Sequence, residues 1–75
     1  MKLETWIALR IRQLCEERGW TVYQLMKNCP LSKNSVYNAA NGHTHITIDS
    51  LYCICKGLGT SMEGFLQGLP ENRSD

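Results

Sequence analysis

Three glycines and a proline constrain this chain more than any other feature. Gly19, Gly42, Gly59 and Pro30 cut it into five short segments, and each carries the apolar spacing of a helix rather than the alternation of a strand. Four of the segments open on a Ser or Thr. Thr21, Ser32 and Thr47 each sit between apolar residues five positions apart, Trp20 with Leu25, Leu31 with Val36 and Ile46 with Leu51. That is the spacing of a hydrophobic staple around a helix N-cap. A chain of 75 residues that restarts so often has room only for short helices packed on one another. The expected fold is all-α, a compact five-helix bundle.

The first segment places Leu3, Ile7, Ile11 and Leu14 on one stripe, with Trp6 and Leu9 off it. Thr21 and Gln24 form a capping box for a second helix running from Val22 to about Asn28. Cys29-Pro30-Leu31 ends that helix, because the ring of Pro30 disfavours helical geometry at Cys29 and removes a donor. After this three-residue turn, Ser32 caps a third helix from Lys33 to about Asn41. Thr47 opens a fourth with Ile48, Leu51, Ile54, Cys55 and Leu58 as its buried stripe. His45-Ile46-Thr47-Ile48 also alternates like a strand, but four residues with no partner strand make that the weaker reading. Ser61 starts a last short helix with Met62, Phe65 and Leu66 turned inward. Residues 1–67 read as one domain and residues 68–75 as a flexible tail.

Size and composition remove whole classes of function. A domain of this length buries only about 60% of its unfolded surface, leaving one modest core and no large enzyme cleft. Glu4 and Arg10 interrupt the start as no secretory signal allows, and no run approaches the ~18 apolar residues of a membrane span. A cytoplasmic protein is expected, with Cys15, Cys29, Cys53 and Cys55 as free thiols. The pairs His43/His45 and Cys53/Cys55 are one residue apart, closer than zinc ligands are spaced, and on a helix the two cysteines point about 200° apart. No metal and no cofactor is expected. No Ser, Cys or Lys has a recognisable activating neighbour, so the chain does not read as an enzyme.

The third helix is unusual. With Val36, Ala39 and Ala40 as core positions, Lys33, Asn34, Tyr37, Asn38 and Asn41 occupy the open face. Asn is a poor helix former, yet it takes three of the nine positions. One reading is a solvated polar face; the other is base readout. Asn offers a donor and an acceptor side by side, matching the N6 and N7 edge of adenine, while Lys33 suits guanine and Tyr37 a thymine methyl or a phosphate. The N-termini at Thr21 and Ser32 offer N–H groups to phosphates. Charge supports the second reading despite a formal net of only +1. No acidic residue lies between Glu17 and Asp49, so residues 18–48 carry Arg18, Lys27 and Lys33, a local +3.

The whole run from Ile7 to Leu66 resembles a known family, the lambda-repressor-like, Xre/Cro-type helix-turn-helix DNA-binding domains. The likeness lies in the order of Ile7-Ala8-Leu9-Arg10-Ile11-Arg12-Gln13-Leu14, Gly19-Trp20-Thr21, Gln24-Leu25, Leu31-Ser32, Ser35-Val36, Asn41-Gly42, Ile48-Asp49-Ser50-Leu51 and Leu58-Gly59-Thr60-Ser61. The resemblance implies a homodimer on operator DNA, with Lys33, Asn34, Ser35 and Asn38 at base-reading positions. It implies phosphate contacts near Val22, Asn41, His43 and Thr44. Together with Tyr37 for bases and Thr21, Tyr23 and Ser32 for phosphates, these make up the expected interface. The chain departs from the family at Val22, where a Gln is usual, at Pro30 for Gly, at Met26 for a small residue and at Gly57 for a helix former. Ala40 stands where an acidic residue often pairs with an Arg matching Arg10.

Sequence-specific binding of double-stranded DNA by a small repressor is the leading expectation. A protein-interaction module on the same fold, an antitoxin-like partner or accessory subunit, is the alternative. For the dimer contact, the sequence offers Met62, Phe65, Leu66 and Leu69, with Trp6 beside them.

Overall fold

Four helices begin where a hydroxyl side chain closes the first turn. The structure, a computed structural model, describes residues 2–43 and 45–69. It contains α1 (Leu3–Glu17), α2 (Val22–Lys27), α3 (Lys33–Asn41), α4 (Ile48–Leu58) and α5 (Met62–Leu66), with no strand among the described residues. Before α2, the Thr21 Oγ1 accepts the Gln24 N–H at 3.3 Å while Gln24 Oε1 accepts the Thr21 N–H at 2.8 Å. Ser32, Thr47 and Ser61 accept the N–H groups of Ser35, Ser50 and Gly64. Such caps contribute about 0.5–2 kcal/mol each, which matters for helices too short to persist alone.

Their C-terminal ends are tied by arginines as well as by glycines. Arg12 Nε donates to the Ala40 carbonyl at 2.8 Å. Arg10 donates to the Phe65 and Gly64 carbonyls at 2.8 and 2.9 Å, and Arg18 to those of Leu58 and Leu14 at 2.6 and 2.9 Å. A cation on the last carbonyls of a helix satisfies orphan acceptors and meets the negative end of the helix dipole. Arg10 thus finds its partners on α5, and Arg12 is the arginine that reaches the end of α3. Arg18 is committed to the fold, so the acid-free window offers Lys27 and Lys33 to a partner.

The core joins Ile7, Ile11, Leu14 and Cys15 of α1 to Leu25, Val36, Ala39, Ala40, Leu51, Ile54, Cys55, Leu58 and Phe65. Ala39 and Ala40 bring α3 close to its neighbours. Gly42 closes α3 in the left-handed conformation at φ 70°, where a Cβ would stand 3.5 Å from the Glu4 carbonyl and 3.6 Å from Ala8 Cβ, so this end of α3 lies on α1. Trp6 meets Phe65 edge to face, with centroids 6.2 Å apart at 84°.

Two expectations need correcting. Leu3 and Ile48 are 55% and 70% exposed, because each is the first residue of its helix and its stripe overruns the core there. α2 ends one residue early at Lys27, so residues 28–32 separate α2 and α3. Gly57 replaces a helix former for a packing reason: a Cβ would lie 3.1 Å from the Asn28 carbonyl oxygen and 3.4 Å from Leu25 Cδ1. Phe65 is fully buried, and Trp6, Met62 and Leu66 are partly buried against the core. Among the described residues, the large apolar side chains left exposed are Leu3, Leu9, Tyr23, Tyr37, Ile48 and Tyr52.

Cys15, Cys29 and Cys55 are buried, and Cys53 is half-buried. Burial pushes the Cys15 thiol up, outweighing the opposite pull of Arg18 and Arg12. Burial likewise raises Cys29 and Cys55. No helix among the described residues is long and apolar enough to cross a membrane, and none of their His, Cys, Asp and Glu side chains form a group of three able to hold a metal ion. The tail expected at residues 68–75 falls mostly outside the described residues, which end at Leu69.

Candidate nucleic-acid interface

The caps that start α2 and α3 also decide which of their side chains face outward. With Val36, Ala39 and Ala40 buried, α3 exposes Lys33, Asn34, Ser35 and Tyr37 along a helix about 13 Å long. That length and width suit the major groove of B-DNA. Asn38 departs from the open face expected of it and is half-buried. It lines a recess of about 150 Å³ with Ser35, His45, Ile46, Thr47 and Ser50, because the segment after Gly42 folds back to start α4 beside α3. The face of α3 therefore continues onto the first turn of α4.

Several of the expected contact residues are engaged in shaping this face. The hydroxyls of Thr21 and Ser32 serve as the caps, and the Ser32 and Ser35 Oγ atoms lie 2.9 Å apart. Asn41 is held at both ends of its amide: Nδ2 donates to the Tyr37 carbonyl at 2.8 Å, and Oδ1 accepts from Arg12 Nη2 at 2.7 Å. Arg12 thereby grips the last turn of α3 through two acceptors and fixes its position on α1. His43 is exposed just past Gly42, and Thr44 lies outside the described residues. His45 Nδ1 stands 3.5 Å from Glu4 Oε2.

Tyr23 lies on the outer side of α2, and it does not stand alone. The Lys27 ammonium is 4.9 Å from its ring centroid and the Lys33 ammonium 5.8 Å. Lys33, grouped with the base readers by sequence, thus leans across the turn toward α2. Lys27 and Arg12 were not picked out as interface residues. The signal for Lys27 was its place one turn after Tyr23, at i+4 on the same face. Nothing in the sequence points from Arg12 to Asn41.

The geometry is a helix-turn-helix with a polar second helix, flanked by cations. The family model for Cro/C1-type helix-turn-helix DNA-binding domains matches residues 10–67. Among solved structures, the restriction-modification controller protein C.Esp1396I, as a tetramer in complex with its natural 35-base-pair operator, superposes with a TM-score of 0.79. It is 26% identical, over 88% of this chain and 87% of that one. The clp gene regulator ClgR from C. glutamicum gives a TM-score of 0.78 at 20% identity, over 88% and 85% of the two chains. Prophage Lp1 protein 11 gives 0.81 at 19% identity, over 96% of each. The last two likenesses speak for the fold alone. No curated protein matches. The matched residues span most of the chain, from the middle of α1 through α5, and on that ground the chain belongs to the Cro/C1-type helix-turn-helix DNA-binding domains.

Proposed function

We propose that this protein is a small cytoplasmic transcriptional repressor that binds double-stranded DNA sequence-specifically, as a homodimer, with α3 in the major groove. DNA-binding transcriptional regulation is the class of function the family supports. The observation that carries the finer reading is the exposed face of α3, which joins helix-disfavouring Asn residues to a rigid mounting. Asn34 is exposed and Asn38 opens into the recess beside α4, so both amides are free of the caps that occupy Asn41. Asn34, Ser35, Tyr37 and Asn38 read base edges; each bidentate Asn–adenine pair is worth about 1–3 kcal/mol of discrimination. The phosphate contacts are assigned to Thr21, Tyr23, Ser32, Asn41, His43 and Thr44, with the α2 and α3 N-termini contributing backbone N–H groups. One helix reads few base pairs, so two copies on half-sites about 34 Å apart supply the specificity.

The experiment is a fluorescence-anisotropy titration against duplexes selected from a randomised pool, repeated with Asn34→Ala and Asn38→Ala. The reading expects an enriched sequence, and a loss of about 1–3 kcal/mol for each variant on that sequence with little change on scrambled DNA. Equal losses on both duplexes would place these residues outside base readout.

A further inference from the structure

We propose that Tyr23, Lys27 and Lys33 form one clamp for a DNA phosphodiester group, in which the Tyr23 ring holds both ammonium groups and Lys33 serves the backbone rather than a base edge. The inference rests on the DNA-binding reading above and gives a definite contact to Lys27, which the sequence counted only toward the local charge.

The two lysines come from different helices. Lys27 ends α2 and Lys33 begins α3, with the five-residue connection between them. They nevertheless converge on one aromatic ring, at 4.9 and 5.8 Å from its centroid. Two like charges drawn together repel, and the negative face of the ring offsets only part of that cost. Among the described residues, neither lysine has a carboxylate partner, and no acidic residue occurs between Glu17 and Asp49. The cluster is therefore under-compensated in the free protein and gains from an anion within reach of the ammonium groups. Tyr23 is 53% exposed, so the ring and both cations are open to such an anion.

A phosphodiester fits the position. The clamp joins the end of α2 to the start of α3, and in a helix-turn-helix the first helix crosses the DNA backbone while the second enters the major groove. Lysine binds phosphate as a point charge and needs no fixed fork geometry, and the ring limits the freedom its long stem would otherwise lose on binding. The lean of Lys33 toward α2 takes its ammonium away from Asn34 and Asn38 on the reading face. Beside its own phosphate contact, Tyr23 thus positions the two lysines.

The test is an anisotropy titration of the full chain on a selected and a scrambled duplex between 50 and 200 mM salt, for wild type, Lys27→Ala, Lys33→Ala, Tyr23→Phe and Tyr23→Leu. All three positions are exposed, and circular dichroism checks that each variant folds. Each lysine variant is expected to flatten the plot of log K against log salt by about 1 and to weaken both duplexes equally. Tyr23→Leu removes the ring and is expected to weaken both duplexes about two- to five-fold more than Tyr23→Phe, which keeps it. An unchanged slope for Lys27→Ala overturns the clamp. So does a loss of sequence preference at constant slope for Lys33→Ala, or a Tyr23→Leu variant that binds like Tyr23→Phe. If wild type itself shows no salt-dependent binding to either duplex, the DNA-binding reading falls and the clamp with it.

Discussion

Replacing Gly57 with alanine sets helix propensity against packing, and the structure decides the sign. Gly57 lies inside α4, where the exchange for alanine ordinarily stabilises by about 1 kcal/mol through backbone entropy. Here the new Cβ would lie 3.1 Å from the Asn28 carbonyl oxygen, 3.4 Å from Leu25 Cδ1 and 3.5 Å from the Asn28 carbonyl carbon. None of these neighbours yields easily. Asn28 is backbone at the end of α2, its N–H donates to the Leu25 carbonyl at 3.0 Å and its side chain to the Gln24 carbonyl at 2.9 Å. Leu25 is fully buried. Overpacking of this kind costs about 1–3 kcal/mol, so after the propensity gain the expected net loss is about 1 kcal/mol. For a domain of this size that lowers Tm by roughly 4–8 °C, read by circular dichroism and confirmed by a lower urea midpoint. A Tm several degrees above wild type would show that α4 and α2 meet loosely, and would refute the reasoning.

Other substitutions test other contacts. Arg12→Ala removes two charge-assisted hydrogen bonds from the last turn of α3 and, being partly solvated, should cost about 1–2 kcal/mol in urea unfolding. Arg12→Lys should recover only part of this, because one ammonium cannot reproduce the guanidinium fork. Phe65→Ala empties the fully buried site under Trp6 and should cost about 3–5 kcal/mol, a large share of the stability of so small a domain. The thiols of Cys15, Cys29 and Cys55 are raised above the ordinary 9.0, so a thiol reagent at pH 8 should label Cys53 first and the others only on unfolding. Above pH 9.0 the unfolded chain releases thiol protons that the native protein still holds, so the urea midpoint should fall as pH rises toward 10. A Cys15→Ala variant should show a smaller fall than wild type.

The helices were legible because local chemistry sets them. Thr21, Ser32, Thr47 and Ser61 each declare a helix start by a hydroxyl that has only one nearby use, and in the structure all four close the first turn. What was not legible depends on contacts between segments. Arg12 and Asn41 are 29 residues apart and meet only once α3 lies on α1. Gly57 looked like a weak point in a helix because its neighbour, Asn28, belongs to another one. Ile48 and Leu3 fit their stripes, but periodicity does not say where a core stops. At the interface, the exposed polar row on α3 was readable from spacing, whereas the half-burial of Asn38 and the lean of Lys33 toward Tyr23 required the turn and the α3–α4 connection in place.

The central claim is that α3 reads DNA sequence, and selection of bound duplexes from a randomised library measures it most directly. The expected result is enrichment of one sequence by the wild-type protein, arranged as two related half-sites one helical turn apart, with affinity that falls as salt rises and with the enrichment lost in Asn38→Ala. A pool that stays random after repeated selection, with binding indifferent to salt, would contradict it.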